Sequence, residues 1–232
     1  MSAALQPFGE SIWLADGAIA EVAGFRYPTR MAVIRLPGEN LFIWSPIALS
    51  DALRTKIDAL GRVSHIVPPN ALHHLHIAEW QCAYPGARTY APPGLRAKRK
   101  DLVFDENLET ENEMPWIRDI DQVAVGGNRI TTEVVFFHRK SRTVLFTDLV
   151  QHFKPGWFTG WRAVVARLDL MAAAQPEVPR KFRLAFTNRR AARAAVRRIL
   201  AWPAERVVMA HAAPVERDGQ AFLARAFRWL VP

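Results

Sequence analysis

The chain predicts a mixed α/β (α+β) fold in which sheets pack together and helices lie outside. Three observations carry this. Its segments run hairpin, helix, strand, helix, and then hairpin, helices, strand, helix. Half of its 232 residues are apolar, enough for a sizeable core. Neither an internal repeat nor a low-complexity linker divides it, so residues 1–232 read as one domain.

The first strand is 11–15, with Ile12, Trp13 and Leu14. Residues 16–28 contain Gly17, Gly24 and Pro28 and read as a loop. Residues 30–36 alternate, with Met31, Val33 and Arg35 on one face, and 40–44 return after the turn at Pro37, Gly38 and Glu39. Ser50 caps a helix with Leu53, Ile57 and Leu60 inward and Gly61 as its stop. A buried strand, 63–67, ends at Pro68 and Pro69, which cannot donate to a ladder. A short strand lies near 88–91, then a basic run at 96–100 and an acidic one at 105–115 with Glu106, Glu109, Glu111 and Glu113. Both runs suit exposed surface. The second hairpin is 130–138 with 142–148, and Val144, Leu145 and Phe146 are too apolar for any strand but a central one. Helical spacing covers 157–174, carrying Trp157, Trp161, Val164, Val165, Leu168 and Met171, where core packing is the commoner fate and a cleft or interface lined by the tryptophans the alternative. It also covers 188–201, with Ala192, Ala195, Val196 and Ile199 inward. A buried strand at 206–210 and a helix at 219–230 complete the chain.

Composition narrows the function classes. No apolar run reaches the ~18 residues of a membrane span. The N-terminus lacks the basic and apolar regions of a secretory signal. Cys82 is the one cysteine, so an internal disulfide and a Cys-x-x-Cys zinc site are both excluded. Together these point to the cytoplasm. The net charge is +9 and the pI about 10.4, with Arg prevailing over Lys. That charge is compatible with an anionic small molecule, nucleic acid or an anionic surface as partner, and equally with a solvated basic surface.

Four of the seven histidines, His65, His73, His74 and His76, lie within twelve residues. Asn70 reads as the N-cap of a helix that carries three of them with Glu79. A strand end that delivers imidazoles to a helix start suits a metal or phosphate. The alternative is a helix with one core-facing histidine and two solvated ones. Neighbours on a helix diverge by about 100°, so His73, which shares a face with Ile77 and Trp80, is predicted to point inward and His74 outward. Two further strand ends carry ionisable groups: 142–147 leads to Asp148 and 206–210 to His211.

That order, with Ile12-Trp13, Thr29-Arg30-Met31, Ser45-Pro46-Ile47, Pro69-Asn70, Trp80, Tyr84-Pro85, Pro92-Pro93 and Thr147-Asp148-Leu149, resembles an uncharacterised branch of the metallo-β-lactamase-like hydrolase superfamily. The resemblance spans nearly the whole chain. It implies a four-layer αββα sandwich with a one- or two-metal site at the strand ends. It also exposes departures. The first two histidines of the His-x-His-x-Asp-His signature fall near residues 69–72 and are missing, and the Asp-His pair falls on His73 and His74. No histidine stands near Asn128 or Arg129, and the acidic residue expected after the early hairpin is replaced around Ser45. The resemblance thus implies that His73, His74, Asp148 and His211 hold a single divalent ion, zinc, iron or manganese, with Glu79 and His152 as outer partners. Arg30 or Arg129 would neutralise a substrate anion. The implied activity is hydrolysis of an anionic ester or phosphodiester. The alternative is a metal-free, non-catalytic binding or scaffolding protein for a polyanion such as RNA.

Overall fold

The computed structural model describes residues 4–108 and 114–232. Glu109, Glu111 and Glu113 of the acidic run lie outside the described residues. The first half comprises β1 (Gln6–Gly9), β2 (Ile12–Asp16), a small hairpin of β3 (Ala20–Val22) and β4 (Phe25–Tyr27), then β5 (Arg30–Arg35) and β6 (Asn40–Trp44). Helix α1 (Asp51–Asp58) leads to β7 (Arg62–Val67), α2 (Ile77–Ala83) to β8 (Arg88–Ala91), and α3 (Leu95–Lys98) to β9 (Glu106–Asn107). The sheet order is β1-β2-β5-β6-β7-β8-β9. It is antiparallel up to β6 and parallel from there, because α1, α2 and α3 supply the crossovers that parallel neighbours need.

The second sheet contains β10 (Ile120–Val125), β11 (Glu133–His138), β12 (Thr143–Phe146) and β13 (Arg206–Met209), in that order. Strands β12 and β13 run parallel, with Phe146 opposite Met209. Between them in sequence lie α4 (Gly160–Leu168), α5 (Arg180–Ala185) and α6 (Arg189–Leu200); α7 (Gly219–Phe227) comes after β13.

The inner faces of the two sheets meet in one core. Phe42 packs edge-on to Trp116 and Phe136, at centroid distances of 4.8 and 5.6 Å, and Leu145 and Val208 join them. The outer face of the first sheet carries Met31, Val33 and Ile66 against Leu53, Ile57 and Trp80 of the helices. That of the second carries Val135, Val144 and Val207 against α5, α6 and α7. The layers are therefore helices, sheet, sheet, helices, as the resemblance implies. Sandwiching on both faces is why β11 and β12 are buried along their whole length and read as apolar runs rather than alternations.

Several expectations change. Residues 16–28 hold the β3–β4 hairpin rather than a plain loop. Strands β1, β9 and β10 and helix α5 were not legible in the sequence pattern. Asn70 does not cap a helix. Its Oδ1 accepts the backbone N–H groups of Leu72 (2.8 Å) and His73 (3.2 Å), closing a turn, and α2 starts only at Ile77. Helix α4 begins at Gly160, leaving Trp157 outside it, and Trp161, Val164, Val165 and Leu168 are exposed rather than core. Among the described residues no helix is long and apolar enough to cross a membrane.

Candidate metal centre

Parallel strands present their carboxyl ends at one edge, and the site is built there. Because Phe146 pairs with Met209, the residues two positions beyond each strand, Asp148 and His211, emerge side by side. Across the seam between the sheets, the turn after β7 brings His73 to the same place. His73 Nε2 lies 3.3 Å from Asp148 Oδ2, and His211 Nε2 lies 3.4 Å from Asp148 Oδ1. The two imidazole centroids are 5.2 Å apart. Among the described residues these three form the one group of potential ligands whose donor atoms all lie within 4.8 Å of one another.

Each member is held from behind. Ser45, one residue beyond β6, places its Oγ 2.8 Å from His73 Nδ1. His211 Nδ1 donates to the Pro28 carbonyl at 2.6 Å, and Tyr27 packs edge-on to its ring. Asn70 Nδ2 donates to Asp148 Oδ2 at 2.7 Å and to Thr147 Oγ1 at 2.9 Å. Burial alone would raise the Asp148 carboxyl, but the charge of His73 and the hydrogen bonds from both histidines outweigh it and hold the group well below the usual carboxylate range.

Glu133, which the sequence pattern does not single out, is the principal support. It is fully buried at the start of β11 and accepts the backbone N–H groups of Thr147 (2.6 Å), Asp148 (2.8 Å) and Leu149 (2.9 Å). It thereby fixes the turn that carries Asp148. Burial and the neighbouring Asp148 charge push its carboxyl up to about 7, against the three N–H groups that favour ionisation. The only signal in the sequence was an acidic residue opening an otherwise apolar strand.

The structure brings together His73, Asp148 and His211 but not the other candidates. His74 turns away: its Nδ1 accepts from Arg99 at 3.1 Å, and burial with the charges of Lys98 and Arg99 lowers its pKa. His73 is inward as expected, but a turn rather than a helix phase sets the divergence. Glu79 accepts the Leu49 N–H and pairs with His76, so it braces a loop away from Asp148. His152 Nε2 meets the Ala173 carbonyl at 3.0 Å, and its backbone N–H donates to the His211 carbonyl, a link to the site through the main chain alone. Arg30 is engaged structurally, donating to Asp16 and to the Met209 and Ala212 carbonyls, which ties β5 to the segment bearing His211. Arg129 is exposed, and its backbone bonds to Ala185.

The three residues lie on the floor of a cleft of about 1120 Å³. Its walls come from the β3–β4 hairpin, the 72–76 turn, α4 and α5, and Lys98, Arg180 and Lys181 stand along it.

Layers and strand-end residues together define a metallo-β-lactamase fold. A metallo-β-lactamase from Pontibacter korlensis superposes with a TM-score of 0.66 at 14% identity, over 99% of each chain. The metallo-β-lactamase FIM-1 from Pseudomonas aeruginosa, in its mono-zinc form, gives 0.62 at 14% identity, over 100% of this chain and 98% of that one. The flavodiiron core of Flv1 from Synechocystis sp. gives 0.64 at 11% identity, over 99% of this chain and 61% of that one. At such identities the likeness is one of fold. No curated protein sequence matches the chain. The chain belongs to the family described as Domain of unknown function (DUF4336), whose model matches residues 9–157.

Proposed function

We propose that this protein is a metal-dependent hydrolase that holds one divalent cation on His73, Asp148 and His211 and acts on an anionic ester or phosphodiester. The observation that supports this most is the direction of the His211 ring. A carbonyl only accepts, so the bond to Pro28 puts a hydrogen on Nδ1 and turns Nε2 toward the Asp148 carboxylate at 3.4 Å. A lone pair facing a carboxylate at that distance is repelled unless a proton or a cation stands between them. His73 turns its Nε2 to the other carboxylate oxygen at 3.3 Å, with the Ser45 hydroxyl against its Nδ1. Two imidazoles and one carboxylate, each braced from its far side, suit zinc, iron or manganese and leave further positions open. Such an ion, when bound, activates water and polarises a carbonyl or phosphoryl oxygen. The chain itself orients the ligands through Ser45, Pro28, Asn70 and Glu133, and offers Lys98 and Arg180 to a substrate anion. Elemental analysis of purified protein should find about one such ion per chain, and His211→Ala should lose it. Protein that carries no metal and takes up none of the three when they are added would overturn the proposal.

A second reading rests on a separate observation. Arg189, Arg190, Arg197 and Arg198 of α6 are exposed and have no ion-pair partner among the described residues. A metal-free protein that holds a polyanion such as RNA on this helix would show affinity falling steeply with salt. Weak binding that does not change with salt would exclude it.

A further inference from the structure

Twelve large hydrophobic side chains stand exposed among the described residues, and eight of them line the cleft above His73, Asp148 and His211. They include Ile19, Val22, Leu75, Val165, Leu168 and Leu184, with Leu168 61% and Leu184 78% exposed. Scattered single apolar residues are ordinary; this concentration in one concavity is not. Helix α4 contributes it through the spacing of its sequence. Ala166 alone is buried in that helix, while Trp161, Val164, Val165 and Leu168 recur at helical spacing on an exposed face, which only Trp161 joins to the hairpin through its edge contact with Phe25. The opposite wall, the β3–β4 hairpin, is braced by Phe25 against Phe158 and Trp161, so both walls are supported before any ligand arrives. The cleft thus has long apolar sides, a polar floor and a rim cation, Arg180, with no ion-pair partner among the described residues. Its volume, about 1120 Å³, exceeds what a compact polar substrate fills.

We propose that the cleft takes a single-chain acyl amphiphile. The apolar chain lies between α4 and the β3–β4 hairpin, the carbonyl end meets the His73–Asp148–His211 floor, and an anionic group lies toward Arg180. As a substrate class this means fatty-acyl esters or thioesters, and in that respect it rests on the hydrolase reading above. Chain binding itself does not depend on that reading.

The test uses 11-(dansylamino)undecanoic acid as a fluorescent probe on full-length protein, below its micellar concentration, with dodecanoate and butyrate as competitors. Dodecanoate should displace the probe at a concentration at least about 100-fold lower than butyrate, since each buried methylene contributes roughly a factor of three to four. Val165→Asp and Leu168→Asp, both at exposed positions, should weaken probe binding about tenfold or more while leaving the thermal melt and the bound metal unchanged. Equal displacement by the two acids, or variants that bind as the parent does, would overturn the proposal. So would a concentration-dependent dimer broken by the same variants, or adsorption to phosphatidylglycerol vesicles with which dodecanoate does not compete. Probe binding by a protein that takes up no metal would overturn the hydrolase reading and leave the acyl site standing.

Discussion

Asp148 owes its place to Glu133. A buried carboxylate that receives three backbone N–H groups cannot be replaced by an amide, which offers one oxygen and turns an NH2 against donors. At pH 8, Glu133→Gln should cost about 2–4 kcal/mol in urea unfolding and weaken metal uptake roughly 10–100-fold. A loss below ~0.5 kcal/mol would show that the turn holds itself. His138 supplies a second test, far from the site in function. It is buried against Ser141, and burial with the charge of Lys140 lowers its pKa to about 4. Its folded pKa is below the unfolded value of ~6.5, so the unfolded chain takes up the proton first as pH falls. The stability this group confers is complete above pH ~6.5 and is lost between there and about 4, to the extent of about 3 kcal/mol. His138→Gln should therefore flatten the decline in unfolding free energy between pH 7 and pH 4.5. An unchanged slope would mean that other groups set it.

Elements with strong local punctuation were readable. Ser50 accepts from the Leu53 N–H and starts α1 as its sequence indicates, and Asn188 does the same for α6 through Ala191. Asn70 misled because the same side-chain oxygen that caps a helix also closes a turn, and the conformation of the next few residues determines which. Asp148 and His211 were legible as strand-end residues, and their convergence comes from parallel pairing. The supports were not legible, because Glu133, Pro28 and Asn70 act through bonds that only the assembled sheets bring within reach. The β3–β4 hairpin was hidden by its turn. Ala23 and Gly24 both have positive φ, 49° and 74°, the geometry of a type I′ turn, where Asn-Gly would have been the expected signal. Alanine is strained there. Ala23→Asn should raise stability by about 0.5–1 kcal/mol in the same urea assay, and a loss would show that the turn is not held in this conformation.

Across the whole molecule, His73 comes from the first sheet and Asp148 and His211 from the second, so an ion among them joins the halves. Zinc at 100 times its dissociation constant should raise stability by about 2.7 kcal/mol, with the chelator EDTA reversing it and Asp148→Asn abolishing it. A melting temperature indifferent to zinc would count against the site. Ties that remain without an ion include Arg30, whose guanidinium on β5 grips the Met209 and Ala212 carbonyls beside His211, and Asn70, which donates to Thr147 and Asp148. Those bonds pin the seam from both sides. With the plates pinned there and packed on a shared core, any give at the cleft mouth is left to the hairpin and helix that form its rim.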